Sequence, residues 1–149
     1  MEEHLFSGQH RHSIDEKGRL TIPVFFRELL AEDGAYITRG FDHNLMVIPK
    51  QAFITIRNRI IHMSWTDSMA RSLRRLILGS AEPIEPDKMG RILIQQYLRE
   101  SVGLVNEAVV VGVGEYFELW SPQSWAEQEA RLLDDEANEQ RYAALDLSI

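Results

Sequence analysis

The feature that most constrains this 149-residue chain is an internal repeat, because the sequence shifted by 72 positions lies over itself. Asp15-Glu16-Lys17-Gly18-Arg19-Leu20-Thr21-Ile22 falls on Asp87-Lys88-Met89-Gly90-Arg91-Ile92-Leu93-Ile94, both reading Asp-x-x-Gly-Arg, aliphatic, any residue, Ile. Without a gap the same shift brings Phe25-Phe26-Arg27-Glu28 onto Tyr97-Leu98-Arg99-Glu100, Gly40 onto Gly112, Leu45 onto Phe117 and Phe53 onto Trp125. A unit used only twice cannot build a solenoid, which needs about three or more units to bury a core. Two copies point instead to one pseudo-two-fold body.

Each copy can be read locally. Asp-x-x-Gly is turn chemistry: the carboxylate bonds nearby backbone N–H groups, and glycine takes positive φ at little cost. Residues 19–22 and 91–94 then read as short strands, with Leu20 and Ile22, or Ile92 and Ile94, on one face and the arginines on the other. Pro23 suits the first turn of a helix, and Phe26, Leu29 and Leu30 follow at helical spacing before Gly34. The second copy repeats this with Leu98, Val102 and Gly103. Paired β runs come next, 35–39 with 45–48 and 108–113 with 116–120, joined by Asp42-His43-Asn44 and Gly114-Glu115 as hairpin turns. Each half is therefore strand, turn, strand, short helix and hairpin, and too small to bury its own faces. The expected class is mainly β with short helices (α+β).

The spacing divides the chain into a first half-domain at residues 9–52, a helical connector at 53–80, a second half-domain at 81–125 and an acidic C-terminal helix or tail at 126–149. Within the connector, helices are expected at 51–63 and about 68–78, and a counterpart of the first at 122–133. The last dozen residues read as a frayed tail. Trp65, Met69, Leu73 and Ile77 form an apolar set that asks for a partner subunit.

Composition narrows the function. The net charge of −7 speaks against a nucleic-acid partner at first sight, since phosphate binding leaves a basic footprint. The distribution matters more. Residues 126–149 hold Glu127, Glu129, Asp134, Asp135, Glu136, Glu139 and Asp146 against Arg131 and Arg141, a net −5 that leaves −2 for all the rest. Arg57, Arg59, Arg71, Arg74 and Arg75 make one local excess of cations, and Arg11, Lys17 and Arg19 another. The chain has no cysteine, which removes disulfides, thiol catalysis and thiolate metal sites. No apolar run is long enough for a bilayer, and Met1-Glu2-Glu3-His4 is acidic where a secretory leader is basic. No membrane association and no cofactor are expected.

At these residues the chain resembles the MraZ family of bacterial transcriptional regulators. The doubled Asp-x-x-Gly-Arg carries the resemblance, with Phe6-Ser7-Gly8 ahead of it, Arg74-Arg75-Leu76-Ile77-Leu78-Gly79 between the copies and Phe117-Glu118-Leu119-Trp120 in the second. The resemblance implies two tandem SpoVT-AbrB-type swapped-hairpin half-domains folded into one β-barrel-like unit. It further implies a cytoplasmic, nucleoid-associated, ring-shaped homo-oligomer on double-stranded promoter repeats upstream of the division and cell-wall gene cluster. The chain departs from the family pattern in its longer acidic N-terminus and in Gln95, which stands where the first copy has Pro23.

Two readings of the motif stand side by side. In one, Asp15 and Asp87 brace turns, with Gly18 and Gly90 at positive φ, and Arg19 and Arg91 clamp turn to strand. In the other, suggested by the resemblance, the turns present Arg19 and Arg91, with Lys17, Lys88 and Arg11, to phosphates and to guanine edges that a planar guanidinium can bond bidentately. His10 and His12 share a face, but no further ligand completes a metal site. Gly112-Val113-Gly114 lacks the strand-to-helix setting of a dinucleotide loop, and Trp120 and Trp125 read as core. No nucleophile elbow, Walker loop or zinc-protease motif is present, so an enzyme is not expected. The rival to a DNA-binding regulator is an oligomeric protein-interaction module, which the acidic charge favours.

Overall fold

The computed structural model describes residues 5–30 and 32–147. The first copy comprises β1 (Gln9–Ser13), β2 (Arg19–Thr21), α1 (Val24–Leu30), β3 (Ala35–Arg39) and β4 (Leu45–Pro49). The connector holds α2 (Lys50–Ile61) and α3 (Ser68–Leu73), the latter running on as a π-helical stretch at Arg74–Leu78. The second copy is β5 (Glu82–Ile84), β6 (Arg91–Leu93), α4 (Gln96–Ser101), β7 (Glu107–Gly112) and β8 (Phe117–Trp120), followed by α5 (Pro122–Leu132) and α6 (Asp135–Arg141). The expected α+β character and the doubled order of elements are both present.

Strand pairing exchanges the copies. Six antiparallel strands run β1-β7-β8-β4-β3-β5, and β2 pairs with β6 in a separate ribbon. Thus β1 of the first copy lies on β7 of the second, and β5 of the second on β3 of the first. The pseudo-dyad passes between β4 and β8 at Met46 opposite Glu118, and between β2 and β6 at Leu20 opposite Ile92. Both pairs are 72 residues apart, as a two-fold relation demands.

The ribbon packs on the inner face of the sheet. Leu20, Ile22, Ile92 and Ile94 are fully buried there with Ile37, Leu45, Val47, Val110, Phe117 and Leu119, and α1 and α4 add Phe26 and Leu98. The outer face of the sheet is covered as well, which is why β4 and β7 are buried nearly throughout rather than on alternate residues. Met46 and Ile48 pack under Phe53, Ile60 and Ile77, while Val109, Val111 and Trp120 pack under Trp125 of α5. Trp120 and Trp125 meet edge to face at 5.5 Å, in the core as their pattern suggests.

The enclosure is barrel-like, closed more firmly at one corner than at the other. Ile14 bridges to Leu20 and so joins β1 to the ribbon. At the pseudo-equivalent corner Pro86 stands in place of Ile14 and, without an N–H, cannot repeat the bond that Ile14 N donates to Asn106 O. There β5 also pairs with β3 one residue out of the register that β1 keeps with β7.

Three expectations are corrected. The second connector helix is not one regular helix: the π-helical stretch is pinned by Thr38 Oγ1, which donates to Ile77 O at 2.6 Å, and by Ser80 Oγ, which donates to Leu76 O at 2.6 Å. Of the apolar set read as unpartnered, Ile77 is buried in its own chain and Leu73 packs beside it, whereas Trp65 and Met69 stay 71% and 75% exposed. The last dozen residues, read as a frayed tail, start inside an ordered helix, α6, which Asp134 caps by accepting from Ala137 N. The acidic stretch Met1-Glu2-Glu3-His4 lies outside the described residues. Among the described residues no helix is long and apolar enough to cross a membrane.

Candidate nucleic-acid interface

The two Asp-x-x-Gly-Arg segments form near-identical turns. Asp15 Oδ1 accepts from Lys17 N at 3.0 Å and Arg19 N at 2.9 Å, while Oδ2 accepts from Arg19 Nε at 2.7 Å. Asp87 does the same with Met89 N, Arg91 N and Arg91 Nε at 2.9, 2.9 and 3.0 Å. Gly18 and Gly90 close the turns at φ +86° and +75°, where a side chain would be strained. Hydrogen bonds from the Arg19 backbone, assisted by its guanidinium, hold the Asp15 carboxyl below the usual range against the opposing effect of desolvation. Arg91 does this for Asp87.

The copies meet at this site. Ile22 N donates to Gly90 O and Ile94 N to Gly18 O, each at 2.9 Å, so each turn is sewn to the other copy's strand. Arg91 reaches further than Arg19: its Nη1 lies 3.6 Å from Asp15 Oδ2, so it spans both carboxylates. Lys17 and Lys88 stand exposed at the turn tips. Arg11 is not brought into this group. It sits on edge strand β1 opposite Val109, whose side chain belongs to the outer face, and its Nη1 pairs with Glu107 at 3.1 Å.

The sequence reading missed two residues of the site, Arg27 and Arg99. A Cβ added at Gly18 would lie 2.8 Å from Cζ and Nε of Arg99, and one at Gly90 would meet the Arg27 guanidinium. Each turn thus carries an arginine from the helix of the opposite copy, and glycine is needed for that reason as well as for φ. The signal is present in the repeat, since Arg27 and Arg99 are 72 apart. What the repeat cannot reveal is which turn each one covers.

Other candidates have local explanations. His10 packs its ring edge-on to Phe26 at 5.4 Å, and burial, together with the charges of His10 and Arg27, pushes the His12 imidazole below its ordinary value. Among the described residues no group of three or more His, Asp or Glu could hold a metal. Arg74 Nη2 donates to the carbonyls of Ile61 and Met63, and Arg71 Nη1 to that of Trp65, so both tie the loop between α2 and α3.

Duplicated halves, exchanged strands and paired arginine turns on a short ribbon define a tandem swapped-hairpin protein. The chain belongs to the MraZ family: the MraZ protein family model matches it twice, at residues 5–76 and 77–147. It is 42% identical over 143 residues to the transcriptional regulator MraZ of Thermomicrobium roseum, covering 95% of this chain and 99% of that one. The transcriptional regulator MraZ of Herpetosiphon aurantiacus is 42% identical over 121 residues, 81% of this chain and 84% of the relative. That of Desulfosudis oleivorans is 33% identical over 138 residues, 93% and 94% of the two chains.

Proposed function

We propose that the protein is a sequence-specific DNA-binding transcriptional regulator rather than an enzyme. Its site is the ribbon with its two turns, where Arg19, Arg91, Lys17 and Lys88 face double-stranded DNA while Asp15, Gly18, Asp87 and Gly90 hold the geometry. Arg11, on the outer face at the sheet edge and paired with Glu107, lies outside this site. The observation that carries this reading is the pair of similarly braced arginine turns related by the pseudo-dyad, suited to two neighbouring stretches of a duplex. In this reading it works in the cytoplasm, at the nucleoid, on promoter repeats of the division and cell-wall gene cluster, as the family resemblance implies. A ring-shaped homo-oligomer supplies avidity.

The test is a titration of a labelled duplex carrying that promoter against a scrambled duplex over a range of salt. Preference for the promoter, with affinity falling as salt rises, is expected; equal binding to both, or to neither, refutes the reading. A second reading, an oligomeric protein-interaction module, draws on the net charge of −7 and on exposed Trp65 and Met69. It predicts assembly on light scattering together with indifference to DNA.

A further inference from the structure

The two turns share a backbone geometry but not an electrostatic setting. Arg19 and Arg91 are matched by Asp15 and Asp87, so the ion pairs of the motif are neutral as a unit. The cations around the turns with no carboxylate partner among the described residues are Lys17, Lys88, Arg27 and Arg99. Arg99 is oriented for use. Its Nε donates to Ile94 O at 3.0 Å, which fixes the guanidinium plane over Gly18 and leaves both Nη groups without a partner among the described residues. The neighbouring Glu100 is engaged by Gln96 Nε2 at 2.8 Å.

Arg27 is placed differently. It lines an open pocket of about 600 Å³ together with Glu28, Glu32, Asp33, Glu85 and Asp87, and its Nε is buried without an acceptor. Shifting by 72 positions shows what the other corner has instead: Leu104, Val105 and Ser13 stand where Glu32, Asp33 and Glu85 stand here. Three carboxylates are therefore confined to one corner. Lys88-Met89 against Glu16-Lys17, and Lys50 against Pro122, return two positive charges to that corner, leaving it one unit more negative than its counterpart. Carboxylates repel a phosphate directly where the two lie within a Debye length, about 8 Å in physiological salt.

We propose that the pseudo-two-fold face docks asymmetrically: both turns face the duplex, but the corner of Lys17, Arg19 and Arg99 grips its backbone more firmly, with Arg99 bonding a phosphate, whereas Arg27, set among Glu28, Glu32, Asp33 and Glu85, bonds none. This rests on the DNA-binding reading and adds to it both a residue and a polarity.

The experiment measures binding of the labelled promoter duplex by fluorescence anisotropy at several salt concentrations for wild type, Arg99→Gln, Arg99→Lys and Arg27→Gln. Arg99→Gln is expected to flatten the slope of log affinity against log salt by about one unit for each phosphate that Arg99 neutralises. Arg99→Lys keeps the slope, and Arg27→Gln matches wild type. Equal slopes for Arg99→Gln and wild type, or equally weakened binding by Arg99→Gln and Arg27→Gln, overturn the proposal while leaving the DNA-binding reading intact. A wild type that ignores every duplex overturns both. Should Arg99→Gln melt early, Glu32→Gln/Asp33→Asn/Glu85→Gln decides. This variant is expected to bind about three- to tenfold tighter at low salt, and unchanged affinity overturns the asymmetry.

Discussion

Replacing Gly18 by alanine separates two reasons for a glycine that are usually confounded. Gly18 and Gly103 both have positive φ, +86° and +71°, so each alanine variant carries a similar backbone strain, about 1 kcal/mol. The surroundings differ. At Gly103 a new Cβ meets nothing within 4 Å, whereas at Gly18 it lies 2.8 Å from the Arg99 guanidinium and 2.8 Å from Ile94 O. The arginine can swing away only by giving up its bond to Ile94 O, a charged hydrogen bond of about 1.5 to 3 kcal/mol. The carbonyl cannot swing away, because Ile94 N is bonded to Gly18 O. Gly103→Ala should therefore cost about 1 kcal/mol and Gly18→Ala about 3 kcal/mol or more. Urea unfolding followed by circular dichroism, at one protein concentration, reads both values. A difference below about 0.5 kcal/mol would mean that Arg99 does not rest on the turn, and the packing argument for the site would fail. At temperatures where both variants are folded, Gly18→Ala should also lose more DNA affinity, since it displaces Arg99 and re-aims Arg19.

Arg19→Ala is expected to weaken promoter binding with a stability change below about 1 kcal/mol, because its ion pair with Asp15 is a third exposed. Arg91→Ala, which uncovers two carboxylates, should destabilise more, and equal melting temperatures for the two would contradict the cross-dyad contact. The depressed carboxyls of Asp15 and Asp87 give stability that is present above the ordinary aspartate range and lost as pH falls through the folded values. The double variant Asp15→Asn/Asp87→Asn should flatten acid melting curves below about pH 4, and an unchanged acid limb would tell against the turn bonds. Glu118 has the opposite sign: burial, reinforced by Asp42, raises its carboxyl despite the bond from Trp120, so its ionisation costs stability as pH rises. Glu118→Gln keeps an acceptor for Trp120 Nε1 and should melt higher near neutral pH; a lower melting temperature there would show that the charge is tolerated.

Much of the fold is legible because it is written twice. A shift of 72 finds the turns, the ribbon strands and the hairpins, and period-two alternation assigns Leu20, Ile22, Ile92 and Ile94 to the core before any pairing is known. Ile77 shows where local reading stops: it looks unpartnered on an isolated helix, and only the sheet above it, with Met46 and Ile48, explains its burial. The π-helical stretch is invisible for a similar reason, since the buried Thr38 hydroxyl that holds it comes from another strand. At the site the sequence can name Arg19 and Arg91 but not say that Arg91 alone spans both carboxylates. Arg27 and Arg99 recur in the repeat, yet the packing that gives each a role crosses from one copy to the other. Arg11 groups with Lys17 and Arg19 by proximity in sequence, and strand alternation sends it to Glu107 instead.

The exchanged strands set a timetable for synthesis. β1 leaves the ribosome early, but its partner β7 begins only at Glu107, so for most of translation the strand is an unpaired edge with nothing to close against. The first hairpin waits too, because β3 needs β5 along its far side. Pairings this distant in sequence slow folding and leave nascent chains open to wrong pairing with their neighbours. The geometry also offers a remedy that duplication itself supplies. Two fragments cut near residue 76, made separately and mixed, should each hold the strands the other lacks.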